Sequence, residues 1–168
     1  MASSKHHHAK LYIGTHDRVY FATTSDGGDS WETGPQHGLS HAAARLAPCA
    51  KQPQRVYLAC YESGLLRSDD GGVSWKTLES YPSDYAHSVD VHPDNPDIVY
   101  AGSEPAALFR SADGGESWEE CAAFRGAPES KDWFFHGNRL SHVRDLRLAP
   151  GNPERIYAGI EVGGMVRS

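Results

Sequence analysis

The chain has 168 residues, 39% of them hydrophobic and 23% charged, and a net charge of −6 at neutral pH. This is the composition of a folded domain rather than a disordered or fibrous chain. The arginines are scattered among acids instead of forming the cationic footprint that a phosphate backbone requires, so no nucleic-acid partner is expected. No apolar run approaches the roughly 18 residues needed to cross a bilayer, and the start MASSKHHHAK lacks the apolar stretch of a secretion signal. A cytoplasmic location without membrane contact is therefore expected. Cys49, Cys60 and Cys121 show no CxxC spacing; they read as small buried apolar residues, not as disulfides or a zinc knuckle. Residues 1–10 read as a flexible terminus, in which His6, His7 and His8 are a native polar tail or the remnant of a tag and carry no functional weight.

In chain order, the first patterned stretch is LYIGTHDRVYFAT, residues 11–23, followed by TSDGGDSW, residues 24–31. The second unit, about 40–80, runs from ARLAP through VYLACYESGLLRS to a second box, SDDGGVSW. The third, about 85–123, repeats the order with VDVHP, VYAGSEPAALFRS and SADGGESW. A longer connection at 124–141 precedes a fourth unit, 141–168, with LRLAP and IYAGIEVGGMVRS. The box tryptophans recur at 44 residues from Trp31 to Trp75 and at 43 from Trp75 to Trp118. The segments before the boxes alternate with a period of two and are separated by Pro, Asn, Asp and Gly, which marks them as strands joined by turns. Each unit reads as strands A, B, C and D, the box forming the C to D turn. A repeat of this length holding four strands is the pattern of a β-propeller blade. The expected fold is all-β: four-stranded antiparallel blades, about three and a half of them, forming part of a larger or multi-chain propeller.

Within each box the residue types have mechanical roles. Asp26, Asp70 and Asp113 can accept turn N–H groups, and the hydroxyls of Ser30, Ser74 and Ser117 can add a local bond. Gly28, Gly72 and Gly115 supply positive φ, while Trp31, Trp75 and Trp118 bury a flat surface at the blade edge. Calcium binding by these aspartates would need more oxygens at close spacing. The boxes, with the VYAG-like strand before them, resemble Asp-box (BNR) repeats of the sialidase-like β-propeller superfamily, over essentially all of residues 11–168. That resemblance implies a fold shared by sialidases, other glycoside hydrolases, sorting receptors and assembly factors, not one reaction. A sialidase would also carry an arginine triad, an FRIP-like segment before the first box and a Tyr and Glu pair. The segment here reads VYFAT, so sialidase activity is not expected.

The resemblance further implies that A strands line a central channel, with the D to A and B to C connections on the face opposite the boxes. His41, His87 and His142 stand just before the A strands, and Tyr61, Glu104 and Glu161 each lie four residues beyond the tyrosine shared by the B strands. Three histidines with carboxylates nearby suit a divalent transition metal, with His41, His87 and His142 as ligands, or acid/base work by His87, His142, Glu104 and Glu161. The bland alternative is a polar loop position copied with the blade. The long connection adds Trp133, His136, Arg139 and, just after it, Arg144, a mixture fit for a sugar- or anion-binding wall, or else aromatics that anchor a long loop on its neighbour. The functional expectation is a small-molecule, glycan or protein ligand at the channel mouth. A metal- or His/Glu-dependent hydrolase or lyase is the alternative, and a structural fragment that assembles with another chain the second. The remainder of the propeller, from the same polypeptide or a second chain, is the expected partner.

Overall fold

A computed structural model of the chain describes residues 8–133 and 140–168. The first sheet holds β1 (Ala9–Gly14), β2 (Arg18–Thr24), β3 (Glu32–Thr33) and β4 (His37–Gly38); the second, β5 (Ala43–Pro48), β6 (Val56–Cys60), β7 (Gly64–Ser68) and β8 (Lys76–Thr77). The third holds β9 (Ala86–Val91), β10 (Val99–Ser103), β11 (Ala107–Ser111) and β12 (Glu119–Glu120), and the fourth β13 (Val143–Ala149), β14 (Asn152–Ile160) and β15 (Gly164–Arg167). All pairings are antiparallel between chain neighbours, apart from β4, which returns to β2. The innermost strands β5, β9 and β13 lie beside one another. This is a partial β-propeller: two four-stranded blades flanked by a first sheet and a last one in which, among the described residues, the A strand and the D strand respectively are not present.

Three details depart from the sequence reading. The D strands pair over only two residues each, beginning after the box tryptophan instead of at the preceding serine. In the first unit the D strand is broken into β3 and β4 by Gly34 and Pro35, and proline has no N–H to give a ladder. The stretch APGNPE, residues 149–154, whose Pro, Gly and Asn mark a turn in the sequence, is mostly strand, since β14 starts at Asn152 and the reversal is confined to Pro150 and Gly151, the latter with φ of 76°. The long connection contains a short helix, α1 (Ala122–Arg125), and a 3-10 turn over Pro128–Asp132.

The blades cohere because alternate residues of one strand face opposite neighbours. On the third sheet Val99, Ala101 and Phe109 join Tyr57, Leu65 and Leu78 in one core, while Tyr100 and Leu108 join Val143, Leu146 and Ile160 in the next. A smaller core of Val19, Leu58, Cys60 and Leu66 joins the first and second sheets. Polar ties run along the inner strands: Ser88 Oγ donates to Val143 O (2.8 Å), and Asp90 Oδ2 accepts Leu148 N (2.9 Å).

The boxes are hydrogen-bonded turns. Ser111 Oγ donates to Asp113 Oδ1 and accepts Gly115 N, both at 2.8 Å, and Asp113 accepts Ser117 N (2.9 Å) and Ser117 Oγ (2.6 Å). Ser68, Asp70, Gly72 and Ser74 repeat the arrangement, and in the first box Thr24 replaces the leading serine. Gly28, Gly72 and Gly115 have φ of 109°, 91° and 94°. Hydrogen bonds from Ser74 and Ser117 hold the carboxyls of Asp70 and Asp113 down to about 2. Because these folded-state values lie below the unfolded one of 3.8, their stabilisation is complete above that value. It is lost as pH falls from there toward 2.

Ser111 is buried, so Ser111→Ala leaves the Gly115 N–H without a partner. Urea unfolding should show a loss of about 1–3 kcal/mol, whereas a loss below 0.5 kcal/mol on the same scale would mean that water replaces the hydroxyl. The unfolding midpoint of the parent chain should also fall steeply between about pH 4 and pH 2 as the box carboxylates protonate.

Candidate functional site

His87 is the second residue of β9, and Glu104 immediately follows β10, whereas the box lies beyond the far end of β11. Antiparallel pairing therefore puts the histidine and the box at opposite ends of the blade. The ladder explains how the histidine is aimed: Ala86 pairs with Ser103 and Ser88 with Gly102, which leaves His87 as the extra residue of a β-bulge. The second and fourth sheets have the same irregularity, skipping Ala44 and Arg144. Such bulges redirect side chains at the rim of a sheet.

Close packing of the third and fourth sheets then brings two units together. A Cβ on Gly102 would lie 2.5 Å from Val143 Cβ and 2.5 Å from Ser88 Oγ. Only a glycine lets β13 approach this closely, and His142, the residue before Val143, is thereby laid over His87. The imidazoles stack with centroids 3.9 Å apart and planes 20° from parallel. Glu104 Oε2 stands 3.2 Å from His87 Nε2 and 3.5 Å from His142 Nδ1. Glu161 Oε2 lies 2.5 Å from His142 Nε2 and 3.0 Å from an Arg144 Nη1 donor. One ligand atom each of His87, Glu104 and His142 falls within 4.8 Å of the others.

The imidazoles are 4% and 8% exposed, yet both nitrogens of His87 and Nε2 of His142 lack an aligned hydrogen-bond partner among the described residues. Contact distance without alignment is costly for buried polar atoms. Burial, reinforced by the neighbouring His142, pushes His87 down to about 4, against the pull of Glu161. His87 is thus neutral near pH 7, and Tyr61 caps it edge-on with ring centroids 4.6 Å apart.

His41 does not join the cluster. It is bonded to Ser63 Oγ (2.9 Å) and paired with Glu62 (3.3 Å), so Glu104 takes the place expected for His41. Each of the three units nevertheless carries a histidine and carboxylate pair, His41–Glu62, His87–Glu104 and His142–Glu161. Glu62 escapes alignment because Tyr61 holds the matching position. A one-residue shift was the available signal, and Glu62, like Val162 beyond Glu161, has positive φ. Trp133 packs at 5.0 Å on Phe124 and against the core between the third and fourth sheets, half-buried, as an anchor of the long connection rather than as a free wall. His136 and Arg139 lie outside the described residues.

No protein-family model and no curated protein matches the chain. Solved structures do match in fold. A GH74 xyloglucanase from Xanthomonas campestris has a TM-score of 0.62 at 18% identity, over 90% of this chain and 25% of the enzyme. YCF48 from Cyanidioschyzon merolae has a TM-score of 0.62 at 13% identity, over 99% of this chain and 52% of that one. The NanB sialidase from Streptococcus pneumoniae has a TM-score of 0.51 at 14% identity, over 92% of this chain and 26% of the sialidase. The chain thus spans between a quarter and about half of these proteins, and the likeness is one of β-propeller fold. Among the described residues no helix is long and apolar enough to cross a membrane.

His87 provides a direct check of the buried geometry. Its folded-state value of about 4 lies below the ordinary 6.5, so its contribution to stability is complete above pH 6.5 and is lost as pH falls toward 4. Unfolding free energies should decline across that window in the parent chain and decline less in His87→Phe. Titration of the His87 ring protons near pH 6.5 in an NMR spectrum would contradict the buried, neutral state.

Proposed function

We propose that this chain is part of a ligand-binding propeller and that its inner rim holds a divalent transition-metal ion through His87, Glu104 and His142. Glu161 orients His142 from its other nitrogen, as carboxylates commonly do behind metal-bound histidines. The observation that carries this reading is contact without hydrogen bonding. His87 Nε2 and His142 Nδ1 share Glu104 Oε2 at 3.2 and 3.5 Å, and neither His87 nitrogen has an aligned partner. Neighbouring ligands of a tetrahedral ion bound at 2.0–2.1 Å are about 3.3 Å apart, with lone pairs aimed at a common point instead of at each other. With the rings stacked the lone pairs run side by side, so capture requires one imidazole to swing away from the other toward Glu104. The carboxylates, with His87 neutral, also give the pocket the charge that attracts a cation.

Three protein ligands leave a position open, and an oxygen of a small molecule, glycan or protein could take it, with Arg144 and Tyr61 at the rim. The xyloglucanase and the sialidase among the fold neighbours are named for glycans, which supports a glycan as that second ligand. A hydrolase or lyase is the second reading, and one observation supports it: two imidazoles and two carboxylates, the groups that acid/base chemistry uses, stand in contact in one cluster. Further blades, from the same polypeptide or a second chain, complete the ring, since open blades leave sheet edges unpaired.

The residues His6, His7 and His8 would themselves bind metal, so the test uses a chain with all three changed to Ala. Calorimetric titration with Zn²⁺ should give one site per chain. His142→Ala and Glu104→Gln should each weaken it at least tenfold, Glu161→Gln by about 10–100-fold, and His41→Ala not at all. Absence of stoichiometric Zn²⁺ binding, or binding indifferent to His142 and Glu104 in folded variants, would refute the metal site.

A further inference from the structure

The second unit carries a cluster that the metal site does not use. His41 Nδ1 lies 2.9 Å from Ser63 Oγ, and its other ring nitrogen, Nε2, lies 3.3 Å from Glu62 Oε2. A hydroxyl on one nitrogen and a carboxylate on the other is the arrangement that activates a serine: the base is within hydrogen-bond reach of the nucleophile, and a third group orients the base. With Nε2–H donated to Glu62, Nδ1 is left to accept the Ser63 proton. The side chains of His41 and Glu62 are 42% and 55% exposed, so a molecule from solution can reach them.

The fold does not call for these three residues. Tyr61 N donates to Ala42 O, Glu104 N to Tyr85 O and Glu161 N to His142 O, which sets the units in register at the rim. In that register His41 matches Asp84 and Ser141, Glu62 matches Pro105 and Val162, and Ser63 matches Ala106 and Gly163. The turn conformation is shared, since Glu62 and Val162 have φ of 53° and 64°; only the side chains on it differ. Gly64 N donates to Asp84 O at 2.6 Å and pins the turn. Gly163 N donates to Ile160 O at 3.0 Å, whereas Ser63 N makes no such bond among the described residues. It is left to meet an oxyanion formed at Ser63, as the nucleophile's own N–H does in serine hydrolases.

We propose that Ser63, His41 and Glu62 form a second site, which hydrolyses neutral carboxylic esters through an acyl-serine. Ser63 Oγ attacks the carbonyl carbon as its proton passes to His41 Nδ1. The bond from that carbon to the alcohol oxygen breaks, and the imidazolium gives the proton to the departing alcohol. Water then attacks the acyl carbon, its proton passing to His41; the bond to Oγ breaks, Oγ takes the proton back, and the carboxylic acid leaves. Glu62 is a positioning residue that holds the tautomer, and its charge disfavours an anionic ester.

The test treats the full chain, with His6, His7 and His8 changed to Ala, with a fluorophosphonate, from which an activated serine displaces fluoride. EDTA is present so that no metal-bound water contributes. Mass spectrometry of the digested chain should place one adduct, on the peptide that carries Ser63. Ser63→Ala should abolish it, and this variant keeps the fold because Ala106 holds the matching position. His41→Ala should slow labelling at least tenfold. Glu62→Ala should also slow it, and Glu62→Asp should recover part of the rate, which a merely structural role for the carboxylate would not require. Turnover of p-nitrophenyl acetate should follow the same order. No adduct, an adduct at another residue, or labelling indifferent to His41→Ala overturns the proposal.

Discussion

The contact between consecutive sheets is the constraint on which the rest of this molecule depends. No sheet here has more than four strands, and a single ladder of that size is marginal in water. What stabilises the second and third sheets is that both faces of each are covered, one by the preceding unit and one by the next. Val99, Ala101 and Phe109 on one face and Tyr100 and Leu108 on the other show this division along two adjacent strands. The box belongs to the same contact: its hydrogen bonds shape a turn, and the turn delivers glycine and tryptophan to the seam between units. Trp31 makes the converse point: among the described residues no sheet precedes its unit, and Trp31 is 40% exposed.

The cluster of His87, Glu104, His142 and Glu161 is a by-product of that packing and of the bulges at the inner rim. A regular strand would send His87 to the face opposite Ser88 and leave it in a seam. The extra residue in the ladder instead turns it toward the rim, where Gly102 has brought β13 within reach. The third and fourth units are fused at this point, while His41 and Glu62 remain a private pair of the second unit, satisfied by Ser63. The same repeated pair thus gives a closed contact in one unit and an under-satisfied cluster between two others.

The order of the strands was legible in the sequence because period-two alternation and the fixed spacing of the boxes are local signals, and repetition multiplies them. The tight reversal at Gly151 and the broken D strand at Pro35 were less legible, since each departs from the repeat by a residue or two. The four residues of the cluster could be named together as a candidate acid/base set, but not which of them touch, nor that His41 stands apart. Which histidine pairs with which carboxylate depends on the distance between sheets, and that distance is decided by Gly102 against Val143. Neither residue looks chemical in the sequence. Glu62 was missed for a similar reason, since a one-residue offset leaves no mark in composition, and of the two readings open for Trp133, wall or anchor, only the tertiary contact with Phe124 favours the anchor.

A repeat fold also separates what is copied from what is used. The box is copied most faithfully because every seam needs it, and a residue required by every seam is packed into one, as the half-buried Trp75 and Trp118 are in theirs. The rim residues vary more, with Tyr61 where Glu104 and Glu161 stand, because nothing in the seam constrains them. Variation at a position that the fold aims consistently inward leaves room for chemistry, and the pair of stacked imidazoles between two carboxylates lies at such a position. Burial there works against charge on His87, and an imidazole kept neutral has its lone pair free for a cation, as the proposed metal site requires.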